Sequence, residues 1–316
     1  MQIKTLFFIL LLLLSGCTTQ SIKNVALEPI PREISSPDEL PEELASRQVY
    51  WQNSFVHLSG EPIEYDPFVF LNEQEISGVV PILSHNERYL VYGHGNFSKI
   101  SIWDLNTNKS RELINTSEDL SHSATIGGIA FTPNDDMIFF SYNWHSDNGE
   151  THAGLATIDL ITGAIVELDI AEFQIAFHDI DVSSDGEWVA TDMVALDKQV
   201  CLLINLERQK VECMTFNEGW YSSVNFTNSN DYIAYSHHRK INSPSSIMLS
   251  KIDGTENQQL VSGLAIAEIL FVTNNEIVFA GATYDKPKCG YLYVINHDGN
   301  DLRKLSYLGE QCLSEE

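Results

Sequence analysis

Residues 180–191, IDVSSDGEWVAT, hold the pattern that decides the fold. Apolar and β-branched residues stand on both sides of a polar turn centred on Asp185 and Gly186. This arrangement predicts two antiparallel strands joined by a tight reversal. Gly186 supplies the positive φ that such a reversal needs, and the Asp185 side chain can hydrogen-bond to the turn backbone. The stretch therefore predicts a β-hairpin.

The hairpin is one copy of a repeat that occurs five times between residues 78 and 306. In each copy a first apolar strand ends in Ser or Thr, a polar turn follows, and three further strand-like segments complete the unit. The Ser and Thr residues lie 44 to 51 positions apart: Ser84, Thr132, Ser183, Thr227 and Thr273. A repeat of this length with four strands is typical of β-propeller blades.

The fold class follows from the two apolar faces of each unit. A four-stranded sheet cannot bury both faces alone, so successive sheets must stack around a common axis. We therefore predict an all-β protein, a β-propeller of four-stranded blades over residues 49–316. Strand-like segments around residues 51–58 and 68–71 favour six blades, with five as the alternative.

The hairpin also carries a family resemblance. Residues 183–190, SSDGEWVA, resemble the Ser-Pro-Asp-Gly-x-x-apolar-Ala motif of TolB-type, WD40-like propeller repeats, and residues 132–135 are a looser copy. The likeness covers about residues 78–306. It implies the propeller fold and no particular function, because these repeats occur in scaffolds, enzymes and accessory domains. TolB proteins have an additional N-terminal α/β domain, for which residues 18–77 are too few, so their partners are not transferred to this chain.

The N-terminus predicts export and lipidation. Lys4 precedes an apolar run from Leu6 to Leu14 that is too short for a membrane-spanning helix and is typical of a signal peptide. The run ends in Leu14-Ser15-Gly16-Cys17, which resembles the bacterial lipobox. The resemblance implies removal of residues 1–16 and a lipid anchor on Cys17. Thr18 follows the cysteine where Asp would indicate the inner membrane, so we expect the outer membrane, facing the periplasm.

Residues 17–48 are predicted to be a flexible tether. The segment contains Pro29, Pro31, Pro37 and Pro41 among Ser and Glu residues and has few large apolar side chains. Such a composition does not favour a packed core. The expected role is to hold the propeller at a distance from the membrane.

The charge of the chain excludes one class of partner. With 18 Lys and Arg against 44 Asp and Glu, the formal net charge is −26. Nucleic acid carries the same sign, so it is excluded as a partner, and direct binding of the acidic surface to anionic lipid is disfavoured. We expect an envelope protein or peptide as the partner, with membrane attachment through Cys17.

Four cysteines follow Cys17. An exported protein can oxidise them, and no Cys-x-x-Cys motif indicates a zinc site. Cys201 and Cys213 flank a turn, and Cys289 and Cys312 could tie the last strands to the C-terminus. Two disulfides and free buried thiols remain alternatives.

No sequence motif indicates a catalytic site. The chain lacks a Gly-x-Ser-x-Gly elbow, a His-Glu-x-x-His motif, a phosphate loop and a dinucleotide fingerprint. Histidines and aromatic residues instead concentrate in the loops before the first strands and between the second and third strands. We call the propeller face formed by these loops the histidine face. The candidate ligand-binding residues are His178, Asp179, His122, Trp144, Trp220, Tyr221, His237 and Glu268.

Two functions are compatible with this set. Aromatic rings can anchor a peptide, which predicts an envelope-anchored binding or scaffold module. The alternative is a metal-assisted enzyme or carbohydrate-binding propeller that acts on acidic glycans, centred on His178 and Asp179. The spacing of the histidines and carboxylates matches no ordered metal motif, so no cofactor is predicted, although a divalent metal remains open.

Overall fold

The computed structural model describes residues 27–51, 54–61, 81–168, 176–194, 199–205, 210–214, 220–238, 243–283, 286 and 289–312. The signal segment and Cys17 lie outside the described residues. The N-terminal part contains β1 (Arg32–Ile34), a 3-10 turn (Pro37–Glu39), α1 (Glu42–Ala45), β2 (Gln48–Trp51) and β3 (Ser54–His57). The next part of the chain consists almost entirely of strands.

Four antiparallel four-stranded sheets follow in chain order. The first contains β4 (Ile82–Leu83), β5 (Tyr89–His94), β6 (Lys99–Asp104) and β7 (Lys109–Asn115), and is followed by α2 (Thr116–Asp119). The second contains β8 (Thr125–Phe131), β9 (Met137–His145), β10 (Thr151–Asp159) and β11 (Ile165–Glu167). The third contains β12 (Ala176–Val182), β13 (Trp188–Val194), β14 (Gln199–Asn205) and β15 (Lys210–Met214). The fourth contains β16 (Trp220–Phe226), β17 (Tyr232–His238), β18 (Ser245–Lys251) and β19 (Gln258–Leu264).

The fifth sheet has six strands. Its central meander is β20 (Ile266–Val272), β21 (Glu276–Ala282), β22 (Cys289–Asn296) and β23 (Arg303–Leu305). β1 adds in parallel to β23, and β24 (Gln311–Cys312) pairs with β22 after a second 3-10 turn (Ser306–Leu308). β2 and β3 form a separate two-stranded hairpin.

The predicted propeller arrangement of four-stranded antiparallel sheets is confirmed. The central strands β18 and β21 are buried along almost their whole length, because each sheet packs between its neighbours. One apolar cluster joins the first and second sheets through residues such as Val91 and Phe140, and another joins the fourth and fifth through Ile247 and Phe279.

The Ser and Thr residues of the repeat close the turn between the first and second strands. The Ser183 hydroxyl accepts a hydrogen bond from the backbone N–H of Trp188 at 2.9 Å, and Ser84 accepts one from Tyr89 at the same distance. All five of these Ser and Thr residues are buried. We call the propeller face formed by these turns the turn face; it is opposite the histidine face.

The prediction of six four-stranded blades, with five as the alternative, is wrong for the described residues. Four sheets have four strands, the fifth has six, and the β2–β3 hairpin stands alone. The predicted strand segment around residues 51–58 contributes only to the β2–β3 hairpin, and the one around residues 68–71 lies outside the described residues. A different N-terminal segment, β1, adds to the outer edge of the fifth sheet. An added strand covers backbone groups that would otherwise form an exposed edge.

The N-terminal segment also differs from the predicted flexible tether. From residue 27 onward it is folded against the fifth sheet, with Ile34 and Leu44 fully buried. These two side chains share an apolar cluster with Val278, Leu292 and Leu305. The prolines hid this packing, because they lie between the apolar residues and break any regular periodicity.

The α-helices of the described ranges, α1 and α2, have four residues each. Within this part of the chain, no helix has the length and apolar character that crossing a membrane requires.

Candidate functional site

The first strands of the five sheets surround a central cavity of about 550 Å³. β4, β8, β12, β16 and β20 each contribute side chains to its wall, and β2 contributes Gln48 and Val49. Apolar residues such as Phe131, Val224 and Phe271 form much of the wall. The cavity extends to the turn face, where Pro133 and other turn residues line it. A concave site with apolar walls and few polar groups is the usual form of a ligand pocket.

β-Bulges interrupt the first strands at a similar depth. The register shifts between Ile126 and Ile129, between Phe177 and Ile180, between Ser222 and Asn225, and between Ile269 and Phe271. Buried hydroxyls of the second strands satisfy the displaced backbone: Ser141 accepts from the Gly128 N–H at 2.7 Å, and Thr191 donates to the Asp179 carbonyl at 2.6 Å. Bulges redirect side chains, and here they lie beside the cavity wall.

Three carboxylates line the cavity: Asp179, Asp181 and Glu268. Asp181 accepts a hydrogen bond from the backbone N–H of Phe226 in the next sheet at 2.7 Å. Burial raises the pKa of Asp181 to about 6, although backbone N–H groups of Phe226 and Val182 oppose the shift. The Glu268 side chain is accessible to solvent, and it lines the cavity. The protein that surrounds its carboxyl group removes part of the hydration of the charged form, which raises the pKa of Glu268 as well.

The positive charge at the cavity wall is small by comparison. Among the described lining residues, Arg47 supplies a guanidinium and His85 an imidazole. The Arg47 guanidinium lies over the Phe271 ring at 6.0 Å. The cavity therefore has a net negative lining on an apolar wall, which favours cationic groups of a ligand.

The predicted residues do not all reach this cavity. Asp179 and Glu268 line it, whereas Tyr221 and His237 are buried, with 2% and 5% exposure. The Tyr221 ring contacts His237 at 5.0 Å and Tyr235 at 5.4 Å between ring centroids. Tyr221 and His237 thus support the fold of the fourth sheet rather than form a binding surface, because alternation along β16 and β17 points them between sheets. The side chains of His178 and Trp220 lie outside the described residues.

His122 and Trp144 form a separate aromatic cluster at the histidine face. The Trp144 ring stacks on His122 at 5.0 Å and 5°, and on His152 at 5.3 Å and 18°. Tyr142 contacts the same ring at 5.5 Å. Three protein rings therefore surround Trp144, which leaves little of its π-surface to stack on a sugar.

The Glu167 carboxylate holds Tyr142, a member of this cluster, in position through a hydrogen bond. The carboxylate accepts hydrogen bonds from the Tyr142 hydroxyl at 2.7 Å and from the Ser121 hydroxyl at 2.9 Å. Burial alone raises the pKa of Glu167, but these hydrogen bonds outweigh it and the pKa is lowered. Burial, followed by the bond to Glu167, raises the pKa of Tyr142. His122, which stacks on Trp144, is exposed, so the cluster presents an ordered imidazole to solvent.

The described residues do not bring together the side chains that a metal site would need. No group of three His, Cys, Asp or Glu residues there is arranged to hold a metal ion. The question stays open for His178, whose side chain is outside those ranges.

The cysteines are placed by strand register. Cys289 is disulfide-bonded, and Cys312 is opposite it in the β22–β24 pair. Cys201 is opposite Met214 and Cys213 is opposite Leu202, so Cys201 and Cys213 are offset by one position. The predicted Cys201–Cys213 pairing stays a prediction.

Sequence reasoning missed Asp181. The signal was present: Asp181 interrupts an apolar first strand, Ile180-Asp181-Val182, at a position where an apolar or small residue is expected. A carboxylate in such a strand needs a partner, and the partner is a backbone N–H of the neighbouring sheet.

Comparisons with known proteins support the fold. No protein-family model and no curated protein matches the chain. Among solved structures, TolB from Acinetobacter baumannii is similar with a TM-score of 0.59 and 15% identity, over 85% of this chain and 64% of that one. An oligogalacturonate lyase in complex with manganese has a TM-score of 0.54 and 16% identity, over 70% of this chain and 62% of the lyase. A putative TolB from Agrobacterium tumefaciens has a TM-score of 0.50 and 12% identity, over 83% of this chain and 87% of that one.

These structural similarities support the assignment of the fold and do not identify a function. The chain spans less than two thirds of the length of the Acinetobacter TolB and of the manganese-bound lyase. At 12% to 16% identity, residue roles do not transfer. The chain is therefore similar in fold to TolB-like β-propeller proteins.

Proposed function

We propose that this chain is an envelope lipoprotein, anchored through Cys17, whose propeller binds a protein or peptide partner in and around the central cavity. The lipobox-like sequence at Leu14–Cys17 supports the anchor. The outer membrane, on its periplasmic side, is the proposed location. The partner class follows from the cavity.

The observation that carries the proposal is the set of carboxylates on the apolar cavity wall. Asp181 and Glu268 have raised pKa values because burial disfavours their charged forms. A Lys or Arg side chain of a bound segment would offset that desolvation, and apolar side chains of the same segment would contact Val224 and Phe271. We therefore propose a partner segment that combines basic and apolar residues.

A rigid ring suits this role. Asp179 and Asp181 project from β12, which packs between β8 and β16 of the neighbouring sheets, so they are positioned before binding and lose little conformational entropy. The His122–Trp144 cluster gives a second ordered surface on the histidine face, which a larger partner can contact.

The test is capture of envelope partners by the full-length acylated chain in intact cells, followed by crosslinking and mass spectrometry. The double variant Asp181→Asn/Glu268→Gln removes the cavity charges, and the matched control Glu118→Gln/Asp253→Asn removes two exposed carboxylates elsewhere. We expect a dominant partner that the cavity variant loses and the control retains. Equal capture by both variants would sink the cavity proposal.

The anchor has its own test. Cys17→Ser should move the protein from the membrane fraction to the soluble fraction and remove the lipid mass from the mature N-terminus. An unchanged distribution between the fractions contradicts lipidation.

The alternative, a metal-assisted enzyme or carbohydrate-binding propeller on acidic glycans, has less support. A net-negative cavity disfavours polyanionic glycans unless a cation intervenes. Retention of a divalent metal after dialysis, lost in His178→Ala, would favour this alternative.

A further inference from the structure

We infer that the partner segment lies across the turn face and inserts a lysine side chain into the cavity mouth, where its ammonium group binds between Asp181 and the His85 imidazole. The inference rests on the proposed function, whose binding site it describes more closely. Three observations support it: where the cavity opens, how the His85 ring is held, and which groups already bind the Asp181 carboxylate.

The cavity opens on the turn face. In four of the five sheets, the residue that follows the buried Ser or Thr of the repeat lines the cavity: His85, Pro133, Ser184 and Asn228. Among the described residues of the histidine-face loops, neither His122 nor Asn148 lines it. A segment that approaches from the turn face therefore meets a rim of equivalent turn positions, and His85 supplies an imidazole to that rim.

Asp135 of the second sheet holds the His85 ring in one orientation. The His85 Nδ1 atom lies 2.8 Å from the Asp135 carboxylate oxygen Oδ1, and the Asp135 side chain is only 4% exposed. Because a carboxylate only accepts, the hydrogen of the neutral ring is on Nδ1 and the lone pair is on Nε2. The His85 side chain is 57% exposed, and its Nε2 has no hydrogen-bond partner among the described residues. Nε2 is thus an acceptor open to a ligand.

Asp181 lies deeper in the cavity than this rim. It is two residues before Ser183 on β12, and two strand residues span about 7 Å. That depth matches the reach of a four-carbon lysine stem with its terminal ammonium. The carboxylate and the imidazole also interact electrostatically: burial raises the pKa of Asp181, and His85 is one of the groups that oppose the rise. Both groups line the cavity, so one cation can contact both.

The hydrogen bonds of the Asp181 carboxylate favour an ammonium over a guanidinium. Its Oδ2 atom accepts from the Phe226 N–H at 2.7 Å, and the Val182 N–H also donates to the carboxylate. A bidentate guanidinium pair needs both carboxylate oxygens, and these N–H groups already take part of their accepting capacity. A compact ammonium with three donors needs one oxygen and can give a second hydrogen bond to His85 Nε2.

The apolar wall suits the stem of the same side chain. Phe131 and Val224 line the cavity, and a lysine buries its methylene groups along such a surface while its charge stays on polar groups. The Arg47 guanidinium, which also lines the cavity, lies over the Phe271 ring of the fifth sheet at 6.0 Å. No described Lys or Arg forms an ion pair with Asp181. Its carboxylate is therefore available to a cation from another chain.

Photocrosslinking in intact cells tests the face of entry. A photoreactive amino acid at Asn228, exposed on the turn face, should capture the same partner as one at Asn225 inside the cavity. His85→Phe and Asp181→Asn should each reduce that capture, whereas Glu87→Gln, which removes an exposed carboxylate from the same turn as His85, should not. If position 225 captures no partner, the proposed function fails. If position 225 captures a partner that position 228 does not, the function stands and the inference is overturned.

Histidine nitrogen NMR tests how the imidazole is held. The full-length protein, purified in detergent micelles and labelled with isotopic histidine, should show the Nδ1–H tautomer for His85, whose signal is identified by its loss in His85→Phe. Asp135→Asn should shift the proton toward Nε2. A purely structural role of Asp135 would leave the tautomer unchanged, and that result would contradict the positioning of His85.

A short peptide tests the lysine. On addition of acetyl-Leu-Lys-Leu-amide the Nε2 signal of His85 should shift, and binding measured by calorimetry should weaken about tenfold in Asp181→Asn or His85→Phe and stay unchanged in Glu87→Gln. The arginine peptide should bind more weakly, and the norleucine peptide, which lacks the ammonium, should leave the signal in place. A His85 signal that the lysine peptide does not move, or that the norleucine peptide moves equally, overturns the inference. Equally tight binding of the arginine peptide overturns the assignment of lysine.

Discussion

The carboxylate of Asp135, in the second sheet, accepts a hydrogen bond from the backbone N–H of His85, in the first, at 2.9 Å. The second carboxylate oxygen, Oδ2, accepts a hydrogen bond from the Asn86 N–H at 2.8 Å. The His85 ring nitrogen Nδ1 lies 2.8 Å from the carboxylate oxygen Oδ1 that accepts from the His85 backbone. The third and fourth sheets repeat the arrangement, with the Asn230 side chain accepting from the Ser184 N–H at 2.7 Å. Side chains of one turn thus bind the backbone of the preceding turn.

The junction between the second and third sheets lacks both halves of this contact. Pro133 has no N–H to donate, and Gly186, at the position equivalent to Asp135, has no side chain to accept. At these three junctions donor and acceptor are therefore present or absent together, which makes the contact testable by removal and by installation.

Removal of the contact should destabilise the fold. Asp135 has a φ of 56°, so Asp135→Gly removes the carboxylate without adding backbone strain. We expect a loss of about 1–3 kcal/mol in the free energy of unfolding, because two backbone N–H groups lose their partner. Chemical denaturation measures it, with Glu87→Gly as the control, because Glu87 is exposed at the equivalent turn position of the first sheet and has the same φ of 56°. An unchanged unfolding midpoint for Asp135→Gly would show that water replaces the contact without cost.

Installation should have the opposite effect. A Cβ at Gly186, whose φ is 74°, would meet only the Pro133 Cδ at 3.9 Å, and Asn tolerates this conformation. We expect Pro133→Ser/Gly186→Asn to gain about 0.5–1.5 kcal/mol relative to the sum of the single variants. A double-mutant cycle by thermal or denaturant unfolding gives the coupling. Zero coupling would mean that the two side chains do not meet.

Asp181 should make stability fall as pH rises. Its pKa is about 6 in the folded protein against 3.8 for an unperturbed carboxyl, so between these values the native state holds a proton that the unfolded chain has released. This contribution is fully present below about pH 4 and is lost as pH rises through 6. Asp181→Asn should therefore be more stable than wild type at neutral pH, by about 3 kcal/mol at most, with the difference vanishing at low pH. A constant difference across the pH range would contradict the assigned pKa shift.

Gly154 should not tolerate alanine. A Cβ there would overlap the Tyr142 ring, which packs in the apolar cluster and holds Glu167. We expect Gly154→Ala to cost about 1–3 kcal/mol, since the ring must leave its position. Tyr142→Leu in the same chain should recover part of that cost. Additive losses in the double variant would show that the overlap is not the cause.

The sequence was informative where local chemistry decides the structure. The hairpins at Ser84 and Ser183 were predictable because a buried hydroxyl, an Asx-rich turn and flanking apolar strands all occur within a few residues. The placement of Asp179 and Glu268 at the cavity followed from the repeat itself.

Long-range contacts were not predictable in the same way. Ile34 is buried against residues more than 240 positions away, and the intervening prolines conceal any strand pattern. Tyr221 and His237 were assigned to the binding surface by loop position, but the faces of β16 and β17 on which they lie pack inside the sheet stack. The Asp181 contact to Phe226 depends on how two sheets meet, which no single repeat encodes.

The most direct test of partner binding in the cavity is site-specific photocrosslinking in intact cells. A photoreactive amino acid at Asn225, which lines the cavity, is compared with the same residue at Lys109, which is exposed on the outer edge of the first sheet. We predict one dominant crosslinked protein from position 225, absent from position 109 and reduced when Asp181→Asn is added. Crosslinks from position 225 that do not exceed those from position 109 would contradict the central claim.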